Sequence, residues 1–68
     1  MKIKILTAKD LPLPSSTLKF RIKNTMNWRV GYTDENGADF IQEVNGIIYN
    51  YSWNQIDEYF LTEPVTGV

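Results

Sequence analysis

The residues of this chain that could do acid–base or nucleophilic chemistry are carboxylates, lysines, serines and tyrosines, because the sequence contains no histidine and no cysteine. Two acidic pairs are the first candidates. Asp57 and Glu58 are adjacent on a predicted helix and would point in different directions. Asp39 and Glu43 lie two alternate positions apart on a predicted strand, a spacing that suits ion pairing better than catalysis. Neither pair has the arrangement of a paired catalytic site.

Motifs for phosphates, metals and cofactors do not occur in the sequence. There is no glycine-rich phosphate loop, and the usual zinc and haem ligands, cysteine and histidine, are missing. The sequence therefore predicts a protein that is not an enzyme and that binds no metal or cofactor.

The length of 68 residues allows one domain at most, near the lower size limit for folding from a hydrophobic core alone. Disulfides are excluded, so stability must come from an efficient core or from oligomerisation. Nine aromatic residues favour an efficient core, and a homodimer stays open as an alternative. We expect a single domain over residues 1–62 and a flexible tail over residues 63–68.

The amino-terminal residues 1–6 alternate charged and hydrocarbon side chains, whereas a secretory signal needs an unbroken apolar stretch. No run of transmembrane length occurs in the sequence. These features predict a cytoplasmic protein that does not associate with membranes.

The charges are separated along the chain, although the formal net charge is only -1. All seven basic residues precede residue 30, together with one acid, which gives the first part +6; the remaining seven acids follow, which gives the second part -7. This asymmetry can create two oppositely charged surfaces. Alternatively, the two halves neutralise each other across neighbouring strands.

Alternation of apolar and polar residues predicts five strands, over residues 2–6, 17–23, 26–33, 38–44 and 47–51. The segment 7–16 between the first two is predicted to be a loop, because its two prolines remove backbone donors. The alternation is cleanest in the second strand. Its inner face carries Leu18, Phe20 and Ile22, and its outer face carries Lys19, Arg21 and Lys23.

The third strand is predicted to turn its apolar residues inward. A three-residue loop at residues 24–26 would place them opposite the apolar residues of the second strand. The same register sets Arg21 opposite Arg29, which like-charge repulsion disfavours unless an acid or an anion lies nearby. The predicted pairs are Ile22 with Trp28, Phe20 with Val30, and Leu18 with Tyr32.

Two turn motifs predict the remaining registers. The segment 34–37, Asp-Glu-Asn-Gly, is typical of a type I turn followed by a left-handed glycine, and predicts that Asp34 pairs with Ala38. The Asn-Gly dipeptide at 45–46 predicts a two-residue hairpin. The first turn pairs Tyr32 with Phe40, Val30 with Gln42, Trp28 with Val44 and Arg29 with Glu43; the second pairs Val44 with Ile47, Gln42 with Tyr49 and Phe40 with Tyr51.

A carboxy-terminal helix is predicted from Ser52 to about Leu61. Ser52 and Gln55 match a capping box, and Trp53, Ile56 and Phe60 would share one side. The fold class is therefore α+β, mainly β. We expect a five-stranded antiparallel meander, either an open twisted sheet or a small SH3-like barrel, with the short helix packed on the aromatic face.

The outer sheet face is predicted to be the working surface, because the register turns most aromatic residues inward. It would grade from basic on strands one to three to acidic on strand four, with two isoleucines and Gly31 between the charges. The candidate interaction residues are Lys19, Arg21, Lys23, Arg29, Ile41, Glu43 and Ile48.

Two functions compete on this basis. The first is a non-catalytic protein-interaction module, an inhibitor or regulatory accessory protein that docks by its charged outer face or by an edge strand at residues 47–51. Such a module could also be one subunit of a homodimer formed through that edge. Small size and lack of chemistry are typical of phage or mobile-element accessory proteins. The second function is that of a nucleic-acid-binding domain that uses the basic face, although a sequence pI of about 5.1 and inward aromatics disfavour it.

Overall fold

A computed structural model describes residues 1–62 of the protein. The predicted tail at residues 63–68 lies outside the described residues. Six strands form the fold: β1 (Ile3–Lys4), β2 (Thr17–Ile22), β3 (Trp28–Thr33), β4 (Asp39–Val44), β5 (Ile47–Ser52) and β6 (Ile56–Leu61). The described residues contain only single 3-10 turns besides these strands, at Ala8–Asp10 and Trp53–Gln55.

The strands form one open antiparallel sheet in the order β1-β6-β2-β3-β4-β5. The prediction of a mainly β fold is confirmed, but the prediction of five strands is wrong, because the last segment of the described chain is a sixth strand. It inserts between β1 and β2 and so takes a central place. The sheet is open, with β1 and β5 at its two edges.

The predicted helix from Ser52 to Leu61 is wrong. The capping contact exists, since the Ser52 backbone N–H donates to Gln55 Oε1 at 2.9 Å, but it supports one 3-10 turn only. The chain then enters β6, where the register against β2 shifts between Arg21 and Ile22 and leaves Asp57 as an extra residue. This bulge sets Ile56 and Tyr59 on the same buried face, three positions apart, which is also helical spacing.

The hairpin between β4 and β5 confirms its prediction in every residue pair. Val44 lies opposite Ile47, Gln42 opposite Tyr49, and Phe40 opposite Tyr51. Asn45 and Gly46 both have positive φ, 51° and 82°, as a type I′ turn requires.

The predicted register between β2 and β3 is wrong by one residue. Arg21, not Ile22, lies opposite Trp28, and Phe20 lies opposite Arg29 rather than Val30. The loop between β2 and β3 is not the predicted three-residue loop at residues 24–26. It begins with a turn in which the Thr25 N–H donates to the Ile22 carbonyl at 3.1 Å. Because side chains alternate, this shift moves every residue of β3 to the other face of the sheet.

The predicted register between β3 and β4 is also wrong by one residue. Asp34 N–H donates to the carbonyl of Asp39, not of Ala38, at 3.0 Å, so the turn holds one residue more than predicted. The Asp34 carboxylate stabilises this longer turn, because its Oδ1 accepts from the N–H groups of Ala38 and Asp39 at 3.0 and 3.2 Å. Tyr32 therefore lies opposite Ile41, and Thr33 opposite Phe40.

The two shifts cancel, so β2, β4 and β5 keep their predicted faces and β3 alone is inverted. Gly31 and Thr33 now point inward. Thr33 is buried, and its hydroxyl accepts from Ser16 N–H at 2.9 Å and donates to the Leu13 carbonyl at 3.0 Å. Four aromatic rings already pack against one another on the inner face, those of Phe20, Phe40, Tyr51 and Tyr59. Two more from β3 would overfill a close-packed core.

The core lies on the inner face, where the sheet curls. Phe40 on β4 and Tyr59 on β6 are three strands apart in the sheet, yet their ring centroids are only 5.9 Å apart. Flat strands at that separation would be about 14 Å apart. The buried apolar residues are Ile5, Leu18, Phe20, Phe40, Ile56 and Tyr59, with Ile3, Leu11, Ile22, Tyr51 and Trp53 packed against them.

The connection from β1 to β2 covers part of this core. The Tyr59 hydroxyl donates to the Asp10 carbonyl at 2.7 Å, and burial raises the pKa of Tyr59, so the hydroxyl keeps its proton at neutral pH. The Asp10 carboxylate accepts from the N–H groups of Leu6 and Thr7, and these bonds, that from Thr7 first, lower the pKa of Asp10. The predicted loop at residues 7–16 thus holds one short 3-10 turn.

Candidate interaction surface

The outer face is the side of the sheet that points away from the core. Residues directly opposite one another in the registers share a face, so the pairs that flank the core residues define it. The outer face carries Lys4, Thr17, Lys19, Arg21, Trp28, Val30, Tyr32, Asp39, Ile41, Glu43, Ile48, Asn50, Ser52, Glu58 and Phe60.

Two aromatic rings meet above β2 on this face. Trp28 comes from β3 and Phe60 from β6, and their ring centroids lie 5.2 Å apart with an interplanar angle of 59°. The Lys2 ammonium lies 5.4 Å from the centroid of the Trp28 ring, within cation–π distance. Lys19 is opposite both Val30 and Phe60. The result is an aromatic contact on the surface with two lysines beside it.

The apolar surface continues from this contact toward β5. Val30 is 59% exposed, Tyr32 40% and Ile48 62%, whereas Ile41 is half-buried. We call Trp28, Phe60, Val30, Tyr32, Ile41 and Ile48 the apolar strip. Its members cross β6, β3, β4 and β5, so it spans most of the width of the sheet.

Shallow depressions flank the strip at both ends of β3. One, of about 500 Å³, has Tyr32, Gly31 and Glu43 in its wall. The other, of about 320 Å³, is lined by residues that include Lys2, Trp28 and Glu58. Each combines apolar and charged residues in its wall.

Arg21 is bound by acids of the neighbouring strand. Its Nη2 donates to Asp57 Oδ2 and to Glu58 Oε1, the latter at 3.1 Å, and its Nη1 donates to the Thr25 carbonyl at 2.8 Å. The hydrogen bond that Arg21 donates to Asp57, and then the one it donates to Glu58, raise the pKa of Arg21. Asp57 and Glu58 thus both bind the Arg21 guanidinium instead of pointing apart. The charge of Arg21 is therefore compensated within the fold.

The structure places four of the predicted site residues together on the outer face: Lys19, Ile41, Glu43 and Ile48. Arg21 is also there, but it is occupied by Asp57 and Glu58. Lys23 lies just after β2, in the turn, where its N–H donates to the Gln55 carbonyl at 2.9 Å. It is exposed and lies outside the strand itself.

The sequence prediction that Arg29 and Gly31 lie on the outer face is wrong. Arg29 turns inward, where its Nη1 donates to Gln42 Oε1 at 3.1 Å and its guanidinium lies 5.7 Å from the Tyr51 ring centroid. Its Nε is buried without a hydrogen-bond partner among the described residues. Gln42, the polar residue on the inner face of β4, is thus the partner of this arginine.

The residues that the sequence prediction missed are Trp28, Val30, Tyr32 and Phe60. One signal was present: the predicted register opposed Arg21 to Arg29, and a one-residue shift removes that repulsion. The same shift brings Trp28, Val30 and Tyr32 to the surface.

Within residues 1–62, no group of three or more potential ligands from His, Cys, Asp and Glu is arranged to hold a metal ion. No helix in this part of the chain is long and apolar enough to cross a membrane.

Comparison with known proteins assigns no family to this chain. No family model matches it, and neither the curated proteins nor the solved structures give a significant match.

Proposed function

We propose that this protein is a non-catalytic protein-interaction module, an inhibitor or regulatory accessory protein, that binds a partner protein through its outer face. One observation supports this most: the inverted β3 turns Trp28, Val30 and Tyr32 toward the surface instead of the core. Exposed apolar residues gathered on one sheet face beside charged residues are typical of interaction sites.

The residue types of the apolar strip fit the centre of a protein interface. Tryptophan and tyrosine are enriched among the residues that contribute most to binding, and truncating one such residue typically costs about 2 to 4 kcal/mol. Trp28 and Phe60 also hold each other in place, so little side-chain freedom is lost when a partner covers them.

The charges around the strip indicate what the partner carries. Lys2 and Lys4 lie at the β1 end of the strip, and Lys19 lies on β2. Glu43 lies on β4, toward the other end. Arg21 adds little to this pattern because two acids compensate it. A matching partner has an apolar centre with acidic groups toward the lysines, a complementarity that favours correct orientation and fast association.

Nucleic-acid binding is the second candidate, because aromatic rings beside lysines can stack on unpaired bases while the lysines bind phosphates. Trp28 and Phe60 with Lys2 and Lys19 offer such a site. Two features make it the weaker candidate. The sequence pI is about 5.1, and the two arginines of β2 and β3 are occupied within the fold.

A charge placed in the middle of the apolar strip tests the proposal. Val30→Glu should leave the protein folded, because the side chain is 59% exposed, but should weaken capture of the partner from a lysate of the native host about 10- to 100-fold. Leu13→Glu is the matched control: it introduces the same charge at a 79% exposed leucine in the connection between β1 and β2. Equal capture by both variants would refute binding through the strip.

Titration with a single-stranded oligonucleotide separates the two candidates. If the protein partner is the true ligand, fluorescence anisotropy should show no salt-dependent binding at low ionic strength. Tight binding that weakens steeply with salt, and that Lys19→Gln reduces, would favour the nucleic-acid function instead.

A further inference from the structure

The two edges of the sheet differ in how they are protected. β1 has two residues and is flanked by the charged Lys2, with Lys4 inside it. β5 has six residues, Ile47–Ser52, none of them charged and none of them proline. Charged residues, proline and short length are the usual means of blocking edge-to-edge pairing. By these criteria β1 is blocked, and β5 is open to a further strand.

The backbone of β5 offers a defined set of free groups. Trp53 N–H donates to the Ala38 carbonyl at 3.0 Å, which continues the ladder in which Tyr51, Tyr49 and Ile47 exchange hydrogen bonds with β4. Because bonded and non-bonded pairs alternate, the N–H and C=O groups of Ile48 and Asn50 point away from β4. Ser52 also points outward, but its N–H is engaged by Gln55 Oε1.

We propose that β5 pairs with β5 of a second copy of this chain, antiparallel, about a two-fold axis at Tyr49. Ile48 of each copy then exchanges both backbone hydrogen bonds with Asn50 of the other. The two six-stranded sheets become one continuous sheet. This inference concerns the edge of the sheet and does not depend on the function proposed for its outer face.

The position of the axis follows from the free backbone groups. With the axis at Tyr49, all four outward groups of Ile48 and Asn50 are paired. Moving the axis to Asn50 would set Ile48 opposite Ser52, whose N–H is already engaged, and would leave the Ile48 carbonyl without a donor. Moving it to Ile48 would set Asn50 opposite Gly46, which belongs to the turn. Only the axis at Tyr49 pairs all four outward backbone groups of Ile48 and Asn50.

The side chains of β5 support a second copy as the occupant. Ile47, Ile48 and Tyr49 are 56%, 62% and 43% exposed, an apolar edge that pairing would cover. Tyr49 would meet Tyr49 of the other copy, and Ile47 would meet Tyr51. β5 contains no charged residue, so pairing two copies brings no like charges opposite each other along the strand. Aromatic and β-branched neighbours across strands are stabilising.

The two-fold axis has a consequence for the outer face. An axis perpendicular to the sheet keeps both outer faces on the same side, so the two apolar strips would form one longer surface. A dimeric partner could then bind both at once, with the gain in overall affinity that two linked sites provide.

Single cysteines test the axis directly, because the chain has no cysteine of its own. In the proposed pairing the two copies of residue 49 form a non-hydrogen-bonded pair, with Cα atoms about 4.5 Å apart, within disulfide range. Residues 48 and 50 lie about 7 to 8 Å from their own copies, beyond that range. Tyr49→Cys should therefore form a disulfide dimer under mild oxidation about ten-fold faster than Ile48→Cys or Asn50→Cys.

Met26→Cys is the control for random collision, since Met26 is 90% exposed and lies in the loop between β2 and β3. A rate for Tyr49→Cys no higher than for Met26→Cys would overturn pairing at this edge. Faster cross-linking of Ile48→Cys or Asn50→Cys than of Tyr49→Cys would overturn the proposed axis.

Sedimentation of the cysteine-free protein gives an independent readout. The wild type should show rising mass between about 5 and 500 µM, where an interface this small is expected to associate. Tyr49→Lys should remain monomeric, because two ammonium groups would then face each other at the axis, whereas Val30→Lys on the outer face should still dimerise. A monomeric wild type across that range would refute the proposal.

Discussion

Replacing Gly31 with alanine is expected to destabilise the domain by about 3 kcal/mol or more, enough to unfold much of the population of so small a protein. A Cβ at this position would collide with the carbonyl oxygen of Ile41 and lie 3.0 Å from Cε1 of the Phe20 ring. The Ile41 oxygen belongs to the backbone of β4, so relief of the collision requires β4 to shift relative to β3. Thermal or urea unfolding monitored by circular dichroism measures the loss.

Gly46→Ala is the control for this substitution. Gly46 has φ of 82°, but nothing lies within 4 Å of the added Cβ, so only backbone strain of about 1 to 2 kcal/mol is expected. If Gly31→Ala proved as stable as the wild type, Gly31 would have to face open solvent. The inversion of β3, and with it the exposure of the apolar strip, would then be wrong.

Phe20→Ala is expected to cost about 3 to 5 kcal/mol and to leave the protein largely unfolded. The Phe20 side chain is fully buried and packs against Phe40 and Tyr51, with ring centroids 5.4 and 6.0 Å away. Its removal would open a cavity between the curled halves of the sheet.

Phe60→Ala is the matched comparison, since it removes the same ring from the outer face. Phe60 is only half-buried and contacts Trp28, so its loss should cost about 1 kcal/mol and leave a cooperative unfolding transition. An equal or larger loss of stability for Phe60→Ala would show that the outer face, not the inner one, is the core.

The strands that sequence alone predicted well have strictly local signals. β2 alternates clean apolar and basic residues, and the β4–β5 hairpin is specified by Asn45 and Gly46, whose left-handed backbones match a two-residue turn. In both cases residues a few positions apart decide the structure. The prediction of faces and pairs there needed no knowledge of distant segments.

The inversion of β3 could not be read from its own alternation, which favours the opposite face. It depends on the number of residues in two turns, and side-chain hydrogen bonds decide that number. Asp34 binds two backbone N–H groups and so lengthens the second turn by one residue. Crowding by Phe20, Phe40 and Tyr51 then leaves room for Gly31 and Thr33 but not for larger apolar residues.

The last strand was mistaken for a helix because Ser52 and Gln55 match a capping box and because Trp53, Ile56 and Phe60 recur at helical spacing. In the strand that forms, Ile56 is buried and Phe60 lies on the outer face. The extra residue Asp57 brings Tyr59, not Phe60, to the face of Ile56. Whether such a segment becomes a helix or a strand depends on a free edge beside it, and β2 supplies that edge from more than thirty positions away. Non-local pairing of this kind leaves little trace in the segment itself.

The positions of the candidate site residues were predicted only in part, because the faces of β2, β4 and β5 were predicted correctly and that of β3 was not. Lys19, Ile41, Glu43 and Ile48 belong to strands whose faces were right, so they lie on the outer face. Arg29 was misplaced with its strand, and the aromatic members of the apolar strip were assigned to the core. The surface that remains is more apolar than the charged face that the sequence suggested.

The most direct test of the outer face as the binding surface uses the two tryptophans of the chain as internal controls. Trp28 lies on the outer face, and Trp53 packs against the core on the other side. Titration of the labelled protein with a captured partner, followed by NMR of the two indole N–H signals, should shift or broaden the Trp28 signal and leave that of Trp53 in place. A shift of Trp53 with Trp28 unchanged would contradict binding through the outer face.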